Sequence, residues 1–130
     1  MRRVLIADDD DLMRAGLVEL LTVDPEIEIV GQASTGREAV EQARRLAPDV
    51  VLMDVWMPDL DGIEATRQIR AREAERSLSR TRVLALTANT LVEDRYACFE
   101  AGMDGFLVKP LDRDKLAEAL EGFKPARATA

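Results

Sequence analysis

Short apolar segments recur along the chain and form its clearest pattern. They occupy residues 4–7, 27–30, 50–53, 83–86 and 106–108, and within them Glu28 is the one polar residue. A strand exposed on one face alternates apolar and polar residues, whereas a continuous apolar run of this length is typical of a strand covered on both faces. The pattern therefore predicts a buried parallel sheet of five strands.

Helical patterns lie between these runs. Apolar residues share one helical stripe in each of three segments, at Met13, Leu17, Leu20 and Leu21, at Val40, Ala43, Leu46 and Ala47, and at Leu116, Ala119, Leu120 and Phe123. Thr35 and Glu38 have the spacing of a capping box that starts a helix, and Thr90 with Glu93 repeats it. Gly102 is expected to end a helix. Alternating strands and helices predict one α/β domain with helices on both faces of the sheet.

Composition and charge limit the classes of function that this chain can have. The chain has 130 residues and one cysteine, Cys98, so it cannot form an internal disulfide, and a reduced, cytoplasmic setting is expected. Its net charge of −7 argues against a direct nucleic-acid partner, and no apolar run is long enough to span a membrane. The absence of histidine excludes Ser-His-Asp and Cys-His catalysis and histidine zinc sites. The charged run at residues 70–82 is expected to be a solvated face.

Polar residues follow four of the apolar runs. They are Asp8 and Asp9 after the first run, Asp54 after the third, Thr87 after the fourth and Lys109 after the fifth. Ligands of an open parallel sheet bind beyond the carboxyl ends of its strands. If the first and third strands are neighbours, three carboxylates meet at one edge of the sheet. In the same acidic run, Asp10 or Asp11 is expected to cap the first helix.

Three negative charges this close together repel one another and call for a cation. Mg²⁺ is the expected ion, because it is a hard cation that binds a few carboxylate or carbonyl oxygens and retains several waters. Thr87 offers a hydroxyl and Lys109 an ammonium at the same rim. A metal, a positive charge and a hydrogen-bond donor around one aspartate are the components that phosphoryl transfer requires.

Four motifs in this order resemble those of the receiver domains of two-component signalling. They are Ala7-Asp8-Asp9, then residues 53–58 with Asp61-Gly62, then Leu86-Thr87-Ala88, and finally Val108-Lys109-Pro110. The resemblance spans nearly the whole chain. It implies a doubly wound, flavodoxin-like parallel sheet of order 2-1-3-4-5 with five helices on two faces. The receiver domain is expected at residues 1–123, followed by a tail or linker at residues 124–130.

The resemblance also implies a role for each acidic residue. Asp54 is expected to accept a phosphoryl group from a partner's phosphohistidine. Asp9 and Asp54 are expected to bind Mg²⁺ directly, together with the backbone carbonyl of Trp56. Asp8 is expected to assist, largely through water. The protein would then promote its own aspartyl phosphorylation and dephosphorylation and would not be an enzyme acting on other molecules.

Further residues and partners follow from the same resemblance. Thr87 and Lys109 are expected to contact the phosphoryl oxygens, and Thr87 and Phe106 to act as the conformational switch, although Phe106 also suits a core position. The implied partners are a sensor histidine kinase or histidine phosphotransfer domain and a downstream output protein or fused domain. Output is expected through the face of the fourth helix, fifth strand and fifth helix, roughly residues 91–121, which can also support a homodimer.

Within the family the two halves of the chain resemble different groups. Residues 14–17 and 27–31 are similar to DNA-binding response regulators of the nitrate-response type, whereas residues 86–89 and 101–104 are closer to receivers of hybrid sensor kinases.

Two alternative functions remain. A degenerate receiver kept as a protein-interaction module would have lost an acidic residue or the lysine, and none is lost. A haloacid-dehalogenase-like phosphatase needs a second aspartate two residues after Asp54, where this chain has Trp56.

Overall fold

The computed structural model describes residues 2–87, 92–108 and 113–121. Within these ranges strands and helices alternate along the chain. The elements are β1 (Arg2–Ala7), α1 (Asp11–Thr22), β2 (Ile27–Ala33), α2 (Gly36–Leu46), β3 (Val50–Asp54), α3 (Gly62–Arg76), β4 (Arg82–Thr87), α4 (Val92–Ala101), β5 (Gly105–Val108) and α5 (Arg113–Glu121). Each predicted apolar run lies inside a strand, and the predicted α/β class is confirmed.

The strands form one parallel sheet in the order β2-β1-β3-β4-β5, as predicted. The register aligns the carboxyl ends of the inner strands. Ala7 at the end of β1 pairs with Met53 of β3, and Asp54 pairs with Leu86 of β4. Residues that follow β1, β3 and β4 therefore meet at one edge of the sheet.

Two apolar cores cover the two faces of the sheet, because successive side chains of a strand point in opposite directions. On one face Leu5, Val51 and Met53 pack with residues of α2, α3 and α4. On the other face Ile6 and Leu52 pack with residues of α1 and α5. The inner strands are buried on both sides, which explains why their sequences lack polar alternation.

Side-chain caps fix the helix starts that lead away from the sheet edge. The Asp10 carboxylate accepts hydrogen bonds from the backbone N–H groups of residues 12 and 13, so Asp10 is the cap of α1. Thr35 caps α2 by accepting from Glu38 N at 3.1 Å, as predicted. Gly102, at φ +106°, ends α4, which also confirms a prediction. The predicted cap at Thr90 lies outside the described residues.

The charged run at residues 70–82 is exposed over much of its length, as expected, but Arg70 and Glu73 depart from that expectation. The side chains of Arg70 and Glu73 are only 14% and 12% exposed. The Arg70 guanidinium donates to the carbonyl oxygens of Gly102 and Thr81 and forms an ion pair with Asp104 at 2.8 Å. This network ties α3 to the segment between α4 and β5.

Among the described helices, none is both long and apolar enough to cross a membrane.

Candidate metal and phosphoacceptor site

Three carboxylates meet at the carboxyl edge of the sheet. Asp8 and Asp9 follow β1, and Asp54 is the last residue of the neighbouring strand β3. One carboxylate oxygen from each residue lies within 4.8 Å of the other two. The structure therefore brings together the three acidic residues that the sequence places at strand ends.

The acidic loop after β1 is held rigidly by its own hydrogen bonds. Asp8 is fully buried, its N–H donates to the carbonyl oxygen of Ala33 at 3.0 Å, and its Oδ1 accepts from Asp10 N at 2.9 Å. Asp9 is exposed to solvent. Because Asp10 also caps α1, the start of that helix fixes the direction of the loop. The cluster thus combines one buried anchor with one accessible carboxylate.

Arg14 supports this loop, a role that its sequence position did not reveal. Its guanidinium donates to the backbone carbonyl of Asp8 at 2.6 Å and pairs with Asp11 at 2.6 Å. The spacing of three residues between Asp11 and Arg14 suggests a helical ion pair, but the contact with Asp8 depends on how α1 meets β1. Arg14 is therefore a positioning residue for the acidic loop.

The loop after β3 positions Asp54. The side chain of Asp54 is 7% exposed, and its Oδ1 lies 3.4 Å from the backbone nitrogen of Trp56. Gly62, the first residue of α3, donates its N–H to the carbonyl oxygen of Val55 at 2.9 Å. The indole of Trp56 is 62% exposed, so most of the ring faces solvent. The backbone carbonyl of Trp56 remains a predicted ligand.

Thr87 lies on the neighbouring strand at the same edge. It is 7% exposed and directly follows Leu86, the register partner of Asp54. Thr87 itself pairs with Val108, the last residue of β5. Lys109 is next in sequence but lies outside the described residues, so its role stays a prediction.

Phe106 lies on β5 in an aromatic and cationic environment. Its half-buried ring packs against the core cluster, with the guanidinium carbon of Arg95 at 4.4 Å from the ring centroid. The ring of Phe99 approaches it edge-on, with centroids 6.0 Å apart. Phe106 thus has core contacts. Cys98 is buried, whereas Phe99 is half exposed.

The donor set fits a small hard cation. Every ligand offered by the three aspartates is a carboxylate oxygen, and burial of Asp8 and Asp54 reduces the water that would otherwise solvate negative charge. Mg²⁺ prefers oxygen ligands of this kind and binds through few carboxylates. The arrangement can therefore hold a divalent cation beside the Asp54 carboxylate.

Comparison with known proteins identifies the family. The family model for the response regulator receiver domain matches residues 4–121. The chain belongs to the response regulator receiver family. Receiver domains are signalling modules of two-component systems, in which response regulators act with histidine kinases and output domains. This receiver domain is 37% identical over 120 residues to the response regulator protein VraR of Staphylococcus aureus, covering 91% of this chain and 54% of VraR. The chain thus spans about half the length of the curated relatives it matches.

Solved structures agree with this assignment. The signal receiver domain of the response regulator NarL from Mycobacterium tuberculosis is 33% identical, with a TM-score of 0.85, and the match covers 92% of this chain and 93% of that one. The receiver domain of the sensor histidine kinase PA1611 from Pseudomonas aeruginosa, determined with magnesium in its active-site cleft, is 36% identical. Its TM-score is 0.80, and the match covers 92% of this chain and 94% of that one. Similarity thus extends both to the receiver of a response regulator and to the receiver of a sensor histidine kinase.

Proposed function

We propose that this receiver domain is a phosphoacceptor switch in which Asp54 takes a phosphoryl group from a partner's phosphohistidine. The observation that carries the proposal is the meeting of the Asp8, Asp9 and Asp54 carboxylates within 4.8 Å at one edge of the sheet. Burial of the Asp54 carboxylate beside two other acidic residues is costly unless a cation compensates the negative charge. A phosphoacceptor that works with a bound cation meets this condition.

Asp8, Asp9 and Asp54 would hold Mg²⁺, with the backbone carbonyl of Trp56 as a further ligand. When bound, the ion neutralises charge on the phosphoryl oxygens and on the carboxylates. Asp8 acts mainly by anchoring the loop, because it is fully buried, whereas the exposed Asp9 is open to direct coordination. Similarity to a receiver solved with magnesium in its cleft supports this assignment.

The chemical step uses a carboxylate oxygen of Asp54 as the nucleophile. A new O–P bond forms as the P–N bond of the donor's phosphohistidine breaks, and the released imidazole nitrogen takes up a proton. Thr87 donates its hydroxyl to a phosphoryl oxygen from the neighbouring strand, and Lys109 supplies a positive charge. The rigid loops after β1 and β3 hold the nucleophile in place, so little rearrangement is needed for attack.

Output follows from the response of Thr87 and Phe106 to the new charge on Asp54. Thr87 lies one residue beyond the register partner of Asp54, so its hydroxyl can turn towards the phosphoryl group. Phe106 is covered by Arg95 and Phe99 of α4, so a shift of its ring changes the surface of that helix. The face of α4, β5 and α5 then binds an output protein, a fused output domain or a second copy of the chain.

Stabilisation by Mg²⁺ tests the metal part of the proposal. Millimolar Mg²⁺ should raise the Tm of the wild-type chain progressively with concentration, because a ligand that binds only the folded state stabilises it. Asp9→Asn should reduce this response strongly. Asp114→Asn, which removes an exposed carboxylate on α5, is the matched control and should respond like wild type.

A phosphoryl mimic tests the acceptor. Beryllofluoride added with Mg²⁺ should change the emission of Trp56 in the wild type and leave Asp54→Asn unchanged. A Tm indifferent to Mg²⁺ in the wild type would instead favour a degenerate receiver that acts as a protein-interaction module.

A further inference from the structure

A cavity lies at the opposite edge of the sheet from the acidic cluster. It has a volume of about 350 Å³ and lies between α2 and α3, beside the residues that precede β3 and β4. This volume falls within the range of small-molecule sites, roughly 300–1,000 Å³. No residue of the proposed phosphoacceptor site lines it.

The walls of the cavity are apolar on one side. Val40 and Ala43 contribute from α2, Ile69 from α3 and Leu78 from the loop that follows α3. Leu78 is 46% exposed. An apolar body placed against these side chains would remove their surface from water.

The charged groups at the cavity are paired with one exception. Asp49 accepts from the backbone N–H of Arg3 at 2.9 Å, and Glu73 accepts from Arg70 at 2.8 Å. Arg44 pairs with Glu41, and Arg80 pairs with Asp104. Each of these groups therefore already has a partner.

Arg72 is the exception. It lines the cavity from α3 and is half-buried, and it has no hydrogen bond or ion pair with any residue that the structure describes. A guanidinium presents several N–H donors in one plane, a geometry that matches a carboxylate. The cavity thus offers an available cation beside an apolar wall, in a chain whose overall charge is −7.

We propose that this cavity binds a small organic anion with an apolar body, held by a carboxylate on Arg72 and by apolar contact with Val40, Ile69 and Leu78. The site is separate from Asp54 and does not depend on phosphorylation. An inorganic anion would leave the apolar wall exposed, and a neutral apolar molecule would leave Arg72 without a partner. A molecule that combines the two features satisfies both sides of the cavity.

The test uses 4-phenylbutyrate as the probe and 4-phenylbutyramide as its uncharged counterpart. Titration of the ¹⁵N-labelled chain with phenylbutyrate should give saturable shifts of the backbone amide signals of residues 43–47, 49 and 77–81. The amide probe should bind about tenfold more weakly, since it cannot form the charge-assisted pair. Acetate should bind more weakly still, because it lacks the apolar body.

Two variants separate the proposed contacts from a general effect of charge. Arg72→Gln should weaken binding of phenylbutyrate about tenfold, whereas Arg76→Gln, the same change on the same helix but outside the cavity, should leave it unchanged. Leu78→Ser should weaken the binding of both phenylbutyrate and phenylbutyramide. Circular dichroism would verify that each variant is folded.

Three results would overturn the proposal. They are the absence of saturable shifts at millimolar probe, equal affinity of wild type and a folded Arg72→Gln variant, or shifts confined to residues around Asp54. Equal binding of the acid and the amide would also contradict the assigned role of the guanidinium.

Discussion

Gly62→Ala should destabilise the protein, whereas the same substitution at Gly16 should stabilise it. A Cβ at Gly62 would lie 2.1 Å from the backbone carbonyl oxygen of Asp54. A Cβ at Gly16, within α1, meets no atom within 4 Å. The two positions therefore form a matched pair, in which one added methyl group enters a backbone contact and the other enters open space.

The expected magnitudes follow from these surroundings. A Cβ essentially never approaches a non-bonded atom elsewhere in the chain more closely than 3.0 Å, so the start of α3 or the Asp54 carbonyl must move by about 1 Å. Overpacking of this kind costs about 1–3 kcal/mol of unfolding free energy. Gly16→Ala should instead raise the unfolding free energy by about 0.5–1 kcal/mol, because alanine is the better helix former.

Urea denaturation followed by circular dichroism measures both effects. The urea concentration at the midpoint should fall for Gly62→Ala and rise for Gly16→Ala. The slope of the unfolding free energy against urea concentration should be the same for both variants. Gly62→Ala should also slow phosphorylation of Asp54, because the displaced carbonyl belongs to the acceptor residue itself. Equal stability of the two variants would show that the close approach of α3 to the end of β3 does not constrain the site.

Three further predictions concern residues away from the acidic cluster. Arg70→Ala should lower the unfolding free energy by about 1.5–3 kcal/mol in a urea titration, because it removes the guanidinium's hydrogen bonds to the Gly102 and Thr81 carbonyls and its ion pair with Asp104. The N–H and hydroxyl of Ser34 donate to Glu38 and lower its pKa. The stability that this contact gives is therefore present above the ordinary pKa of glutamate and is lost as pH falls through the lowered value. The unfolding free energy of a Glu38→Gln variant, measured across that pH range, should approach that of the wild type in acid. Cys98, being buried, should react with a thiol reagent only as fast as the protein unfolds.

The inner sheet could be predicted from sequence because burial on both faces leaves a local trace. Residues 50–53 are apolar without interruption, and in the structure β3 is buried along its whole length. The edge strand β2 is different. Its apolar run stops at Val30, yet the strand continues to Ala33, which pairs with Ala7. Pairing with a neighbour extends β2 through Gly31 and Gln32, which carry no apolar pattern.

The acidic cluster could also be predicted, because parallel strands place their carboxyl ends together. Knowing that β1 and β3 are adjacent was enough to bring Asp8 close to Asp54. The contacts of Arg70 could not be predicted in the same way. Asp104 is 34 residues away, and a helix dense in arginine and glutamate has the composition of a solvated surface. The available guanidinium of Arg72 likewise emerges only when the partners of neighbouring charges are known.

The most direct test of the central claim is the intact mass of the chain after incubation with acetyl phosphate and Mg²⁺. We expect the wild type to gain one phosphoryl group and Asp54→Asn to gain none. Asp59→Asn, which removes an exposed carboxylate from the loop that follows β3, should be phosphorylated like wild type. Equal phosphorylation of Asp54→Asn and wild type would contradict the assignment of Asp54 as the acceptor, as would a wild-type chain that gains no phosphoryl group.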